Sequence, residues 1–139
     1  MNRKILVVEK EAKYFQQAVD VLSRDGHEVI TAETGAEAVA RVLAEQPWLI
    51  VLGKELPDMP GEQTLLNLGV GQDSPGRAFG VIMLVPRTQG DGGGLSYTPP
   101  YPDAPGFYLE TPFNPMELKQ IARRLRMIMD GTYPDRTVR

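Results

Sequence analysis

Charged side chains recur directly behind the short apolar runs of this chain. Glu9-Lys10-Glu11 follows Ile5-Leu6-Val7-Val8, and Gly53-Lys54-Glu55 follows Trp48-Leu49-Ile50-Val51-Leu52. Val85-Pro86 closes the run Val81-Ile82-Met83-Leu84, and Glu110-Thr111-Pro112-Phe113 follows Phe107-Tyr108-Leu109. Carboxylates at such places can act as nucleophiles or as oxygen ligands for a hard cation. Other chemistries are excluded at once. The chain has no cysteine, so it has no thiol nucleophile, disulfide scaffold or thiolate metal site. Its single histidine, His27, cannot build a His-rich metal cluster, and it stands in a turn with no serine or acid constellation attached. Residues 71–78 read G-x-x-x-x-G-R-A, which mimics a phosphate loop but lacks its lysine and hydroxyl residue. Gly90-Asp91-Gly92-Gly93-Gly94 lacks the spacing of a dinucleotide fingerprint and reads as a turn.

The elements that must position the charged residues alternate. Residues 4–8 form a β-rich run. Residues 12–25 carry apolar positions at helical spacing (Phe15, Ala18, Val19, Leu22), with Gly26 able to close the helix in the left-handed conformation. Residues 28–32 read as a second strand. Thr34-Gly35-Ala36-Glu37 is a capping-box pattern that starts a helix, and Pro47 stands past its end. Residues 48–52 have the unbroken apolar character of a central strand. A Pro/Gly loop at 56–61 leads into a short helix over 62–68. Strands follow at 81–85 and 107–109, then Asn114-Pro115-Met116-Glu117 starts a last helix that Gly131 ends. Such alternation implies βαβ units, a doubly wound parallel sheet of five strands, and ligand sites at the carboxyl ends of the strands.

The 139 residues suit one domain, placed at 3–131, with 132–139 as a tail or the start of a linker. No apolar run exceeds five residues, so membrane insertion is not expected. The first residues lead straight into a strand without a signal-peptide pattern, and with the lack of cysteine this suggests a cytoplasmic protein. The net charge of −3 excludes a generally basic nucleic-acid binder. The charge is uneven: residues 119–139 carry +4 and residues 1–118 carry −7. Cations near a helix C-terminus complement its dipole, and they equally offer a basic face to an acidic partner.

In order and spacing, these segments resemble the receiver domain of bacterial response regulators over nearly the whole chain. The resemblance is carried by Ile5-Leu6-Val7-Val8-Glu9, Gly26-His27-Glu28-Val29, Ala32-Glu33-Thr34-Gly35-Ala36-Glu37-Ala38 and Pro47-Trp48-Leu49-Ile50-Val51-Leu52. Leu56-Pro57-Asp58-Met59-Pro60-Gly61, Val81-Ile82-Met83-Leu84 and Pro112-Phe113-Asn114-Pro115-Met116-Glu117-Leu118 complete it. It implies a flavodoxin-like topology and phosphoryl transfer to an aspartate behind the third strand. Acids behind the first strand would hold magnesium. A hydroxyl behind the fourth and a lysine behind the fifth would bind phosphoryl oxygens.

The chain departs from that chemistry at each key position. The nucleophile position falls on Gly53, the hydroxyl position on Val85 and the lysine position on Thr111. The acid pair keeps Glu9, but its second member is Lys10, which either takes the metal's place beside Glu9 or points into water. Asp58 and Glu55 are nearby acids, neither at the acceptor's position. Tyr108 holds the place of the family's switching aromatic, and without a hydroxyl at 85 it is expected to be fixed by packing. The Thr111–Pro112 bond is expected to be cis. Residues 86–106 hold five glycines and five prolines, so an irregular loop is expected in place of the family's fourth helix. Within it, Tyr97, Pro99, Pro100 and Tyr101 suit either a partner contact or a lid over the sheet. The expected function is therefore a non-phosphorylatable pseudo-receiver. Such a protein is not an enzyme, has no cofactor or metal, and binds signalling proteins or a second copy of itself. The alternatives are an atypical phosphoacceptor and a small-ligand or nucleotide binder on the same fold.

Overall fold

Strand and helix alternate as the apolar spacing requires. In chain order the elements are β1 (Lys4–Val8), α1 (Ala12–Arg24), β2 (Glu28–Ala32), α2 (Gly35–Glu45), β3 (Leu49–Gly53), α3 (Gly61–Asn67), β4 (Gly80–Pro86), β5 (Leu95–Ser96), β6 (Gly106–Thr111) and α4 (Pro115–Asp130). This is a computed structural model that describes residues 4–68, 79–86, 95–96 and 106–130. The sheet order is β2-β1-β3-β4-β6-β5. Five strands pair in parallel, as expected. The sixth, β5, runs antiparallel to β6 with Leu95 opposite Leu109. This edge strand adds to the five parallel strands that the sequence predicts, and its two residues are too few to show any period in the sequence. The chain has a fourth helix, α4, and it is the last helix that the sequence predicts. The family's own fourth helix would fall between β4 and β6. There only Leu95–Ser96 is described, and it is strand. Residues 97–101, the candidate interaction loop, and 132–139, the tail, lie outside the described residues.

Successive strand residues sort to two faces because side chains alternate along a strand. Ile5, Val7, Leu49, Val51, Ile82, Leu84, Phe107 and Leu109 pack under α1 and α4, against Leu22, Leu118, Ile121 and Leu125. Leu6, Val8, Ile50, Leu52, Val81 and Met83 pack under α2 and α3, against Ala38, Val42 and Leu65. Among the described residues no helix is long and apolar enough to cross a membrane.

The turns follow from a few residues. Gly26 adopts φ 89°. There the Gly26 N–H donates to the Ser23 carbonyl at 3.1 Å and the His27 N–H to the Leu22 carbonyl at 3.3 Å, which is a Schellman closure of α1. Asn114 starts α4, its Oδ1 accepting the Met116 N–H at 2.9 Å. Arg123 of α4 donates to both carboxylate oxygens of Asp25, and Arg126 lies 4.9 Å from the centre of the buried Trp48 ring. Two cations of the basic segment thus bind α4 to the rest of the chain.

The N-terminus of α2 is held from a distance. Asp58 accepts the Gly35 N–H at 2.8 Å and the Ala36 N–H at 3.0 Å. Thr34 Oγ1 accepts the Glu37 N–H at 3.0 Å, while Glu37 reaches back to the Glu33 N–H at 2.9 Å rather than to that of Thr34. The first free amides of the helix are thereby satisfied, and the hydrogen bonds to the backbone lower the Asp58 pKa. Close approach fixes two glycines. A methyl group on Gly35 would strike Thr64 Oγ1 and Met59, and one on Gly61 would strike the Gly53 carbonyl oxygen.

Two expectations follow. Gly61→Ala should destabilise by about 1–3 kcal/mol in urea unfolding, since backbone must move to admit the methyl group. The Asp58 carboxylate stabilises fully above its ordinary pKa of 3.8, and that stability is lost as pH falls through the lower folded value. Asp58→Asn should therefore lower the urea midpoint at neutral pH and flatten its fall in acid.

Candidate functional site

The parallel ladder brings the expected positions together at the carboxyl ends of the strands. Val8 is in register with Leu52 and Gly53 with Leu84, so Glu9, Gly53 and Val85 lie around one hollow. Val85 is opposite Glu110, and Thr111 is opposite Pro86. The sheet changes direction here, between β1 and β3, with the crossovers on opposite faces. A cleft of about 460 Å³ opens at this point, lined by Glu9, Lys10, Tyr14, Lys54, Glu55 and Thr111 among others.

Glu9 is the central residue. Its Oε2 accepts the Glu11 N–H at 2.9 Å, which turns the side chain inward. Its Oε1 then comes to lie directly over Gly53, where a β-carbon on residue 53 would collide with it and would stand 3.3 Å from Cδ. The bare glycine is buried and the carboxylate folds onto it. Burial raises the Glu9 pKa above its ordinary value, against the hydrogen bond from the Glu11 amide, which lowers it. The sequence assigned Glu9 to a retained acid position but did not show this reach. The signal was present as a long acid facing a residue without a side chain.

The remaining positions surround it. Lys10 pairs with Glu55 at 3.7 Å on the rim, both side chains well exposed, so its partner is Glu55 and not Glu9. Lys54 is held by Glu62 at 2.7 Å, and that hydrogen bond raises its pKa. Thr111 donates from Oγ1 to the Val85 carbonyl at 3.4 Å, joining two of the degenerate positions. Val85 and Tyr108 are both half-buried against the core under α2 and α3. The Thr111–Pro112 bond is cis, as expected. Asp58 sits away from the cleft, on the start of α2. No signal in the sequence links these two places, which are 23 residues apart.

The magnesium ion implied by the resemblance does not fit these residues. The cleft turns one carboxylate inward, residue 53 offers none, and a lysine stands on the rim. Among the described residues no group of three His, Cys, Asp or Glu is placed to hold a metal ion. A hard dication needs about six oxygen ligands.

A carboxyl whose folded pKa is raised is destabilising when ionised, and the effect fades as pH falls through the folded value. Glu9→Gln should thus raise the melting temperature at neutral pH and lose that advantage at and below the ordinary Glu value of 4.5. Thermal melts of both proteins across this range measure it.

No family model matches the chain. It is 41% identical over 68 residues to the alkaline phosphatase synthesis transcriptional regulatory protein PhoP of Bacillus subtilis (strain 168), covering 49% of this chain and 28% of that protein. It is 31% identical over 122 residues to the adventurous-gliding motility protein Z of Myxococcus xanthus (strain DK1622), covering 88% of this chain and 8% of that protein. The chain thus spans under a third of either relative. The solved chemotaxis response regulator CheY4 of Vibrio cholerae superposes with a TM-score of 0.69 at 25% identity, over 90% of this chain and 99% of that one. The chain's structural neighbours are thus response-regulator receiver (CheY-like) domains, and its fold and segment order are similar to theirs.

Proposed function

We propose that this receiver domain is a pseudo-receiver, a module that takes no phosphoryl group and signals by binding other proteins. The observation that carries the reading is the Glu9 carboxylate folded onto Gly53. An in-line phosphoryl transfer needs an acceptor oxygen, a neutralising cation and donors for the transferred oxygens. Here the acceptor position has no side chain. The second acid is Lys10, and Val85 and Thr111 stand where a hydroxyl and a lysine would act. Thr111 directs its hydroxyl to a backbone carbonyl.

In this reading residues 3–131 form the unit, 132–139 a tail or linker start, and the domain has no catalytic activity of its own. Its partners are cytoplasmic signalling proteins or a second copy of the chain. Incubation with acetyl phosphate and magnesium should leave the intact mass unchanged. A phosphoryl adduct that is released by hydroxylamine identifies an acyl phosphate and overturns the proposal. Gly53→Asp alone should also gain no adduct, because the cation site and both oxygen-binding positions remain altered.

A further inference from the structure

The Glu9 carboxylate carries one inference further. It is drawn toward the sheet end by the Glu11 amide, is partly buried over Gly53, and lines the cleft. Even a partly buried carboxylate gains from a cation or further donors that meet it. Among the described residues the nearby lysines form their ion pairs with other acids, Lys10 with Glu55 at 3.7 Å and Lys54 with Glu62 at 2.7 Å, and the charge of Lys10 only partly offsets the effect of burial on Glu9. Among the described residues no ion pair reaches Glu9.

We propose that the cleft over Gly53 receives an arginine side chain presented by a protein partner, with Glu9 as its counter-ion. The proposal rests on the pseudo-receiver reading and names the chemistry of the partner. A guanidinium suits the site better than the other cations. It is weakly hydrated and so enters the cleft at lower cost than an ammonium, and its fork of N–H groups matches a carboxylate. It needs one counter-ion, whereas a hard dication needs several oxygens, and among the described residues no group of three acidic, His or Cys side chains is placed to supply them. The bare Gly53 makes the room, because any β-carbon there would push the carboxylate out.

The test is a titration of the full chain with N-acetyl-arginine amide at constant ionic strength, followed by backbone amide NMR. Saturable shifts are expected at Glu11, Gly53 and Lys54, weaker with the lysine analogue. Glu9→Gln should abolish them. Gly53→Ala keeps every charge but displaces the carboxylate, and should weaken binding roughly tenfold. Shifts that persist unchanged in both variants mean diffuse surface charge and overturn the proposal, as does the absence of any saturable shift. Glu9-dependent shifts produced by magnesium at lower concentration than by the arginine probe overturn it too, in favour of a metal site. Should Gly53→Ala fail to fold, Glu9→Gln decides alone. The phosphoryl-adduct assay is independent: an adduct sinks the pseudo-receiver reading, whereas a failed titration with no adduct removes only the arginine partner.

Discussion

Burial of β3 on both faces is the constraint from which the remaining architecture follows. All five of its residues are buried. A strand with no exposed face needs neighbours on both edges and helices above and below. β1 and β4 supply the edges, α1 and α4 one cover, and α2 and α3 the other. Burying an apolar side chain of this size contributes about 1.5–3 kcal/mol, so the end of β3 is among the most firmly placed points in the molecule. Whatever residue follows Leu52 is therefore presented at a fixed position, which is why a glycine there matters.

The glycine at this fixed point does not leave the polar end of the sheet bare. The neighbouring strand supplies a carboxylate one methylene longer than aspartate, and the glycine gives it room. A carboxylate thus lies over residue 53, although residue 53 itself carries none. The loop that follows β3 is held by its own contacts. Its Asp58 is bound to the backbone of α2, and Gly61 packs on the carbonyl of Gly53. These contacts tie the hollow, the loop and two helices into one unit.

The sequence revealed those parts of the molecule that depend on local period and on capping chemistry. The alternating elements, the buried central strand, the Gly26 closure and the Asn114 start of α4 all had residue-level signals, and each is present, while the cis Thr111–Pro112 bond followed from the resemblance. What escaped it depends on distance in space. The Asp58 contact to α2 joins residues 23 apart through backbone amides, which leave no mark on composition. The fold of Glu9 onto Gly53 needs the β1–β3 register before the two residues become neighbours. β5 has only two residues and exists because the β6 edge offers a partner. The position of Lys10 was open between two readings, and its pairing with Glu55 needed the loop after β3 to be placed.

The stacking of Arg126 on Trp48 gives the molecule a built-in optical gauge. Trp48 is the only tryptophan in the chain, and a guanidinium belonging to the final helix lies against its ring. Its fluorescence therefore reads the seating of that helix, at the end of β3 opposite the cleft and about 16 Å from it by strand rise. Events at Glu9 that leave the indole emission unmoved are local to one pole of the sheet, and those that alter it have travelled the length of the domain.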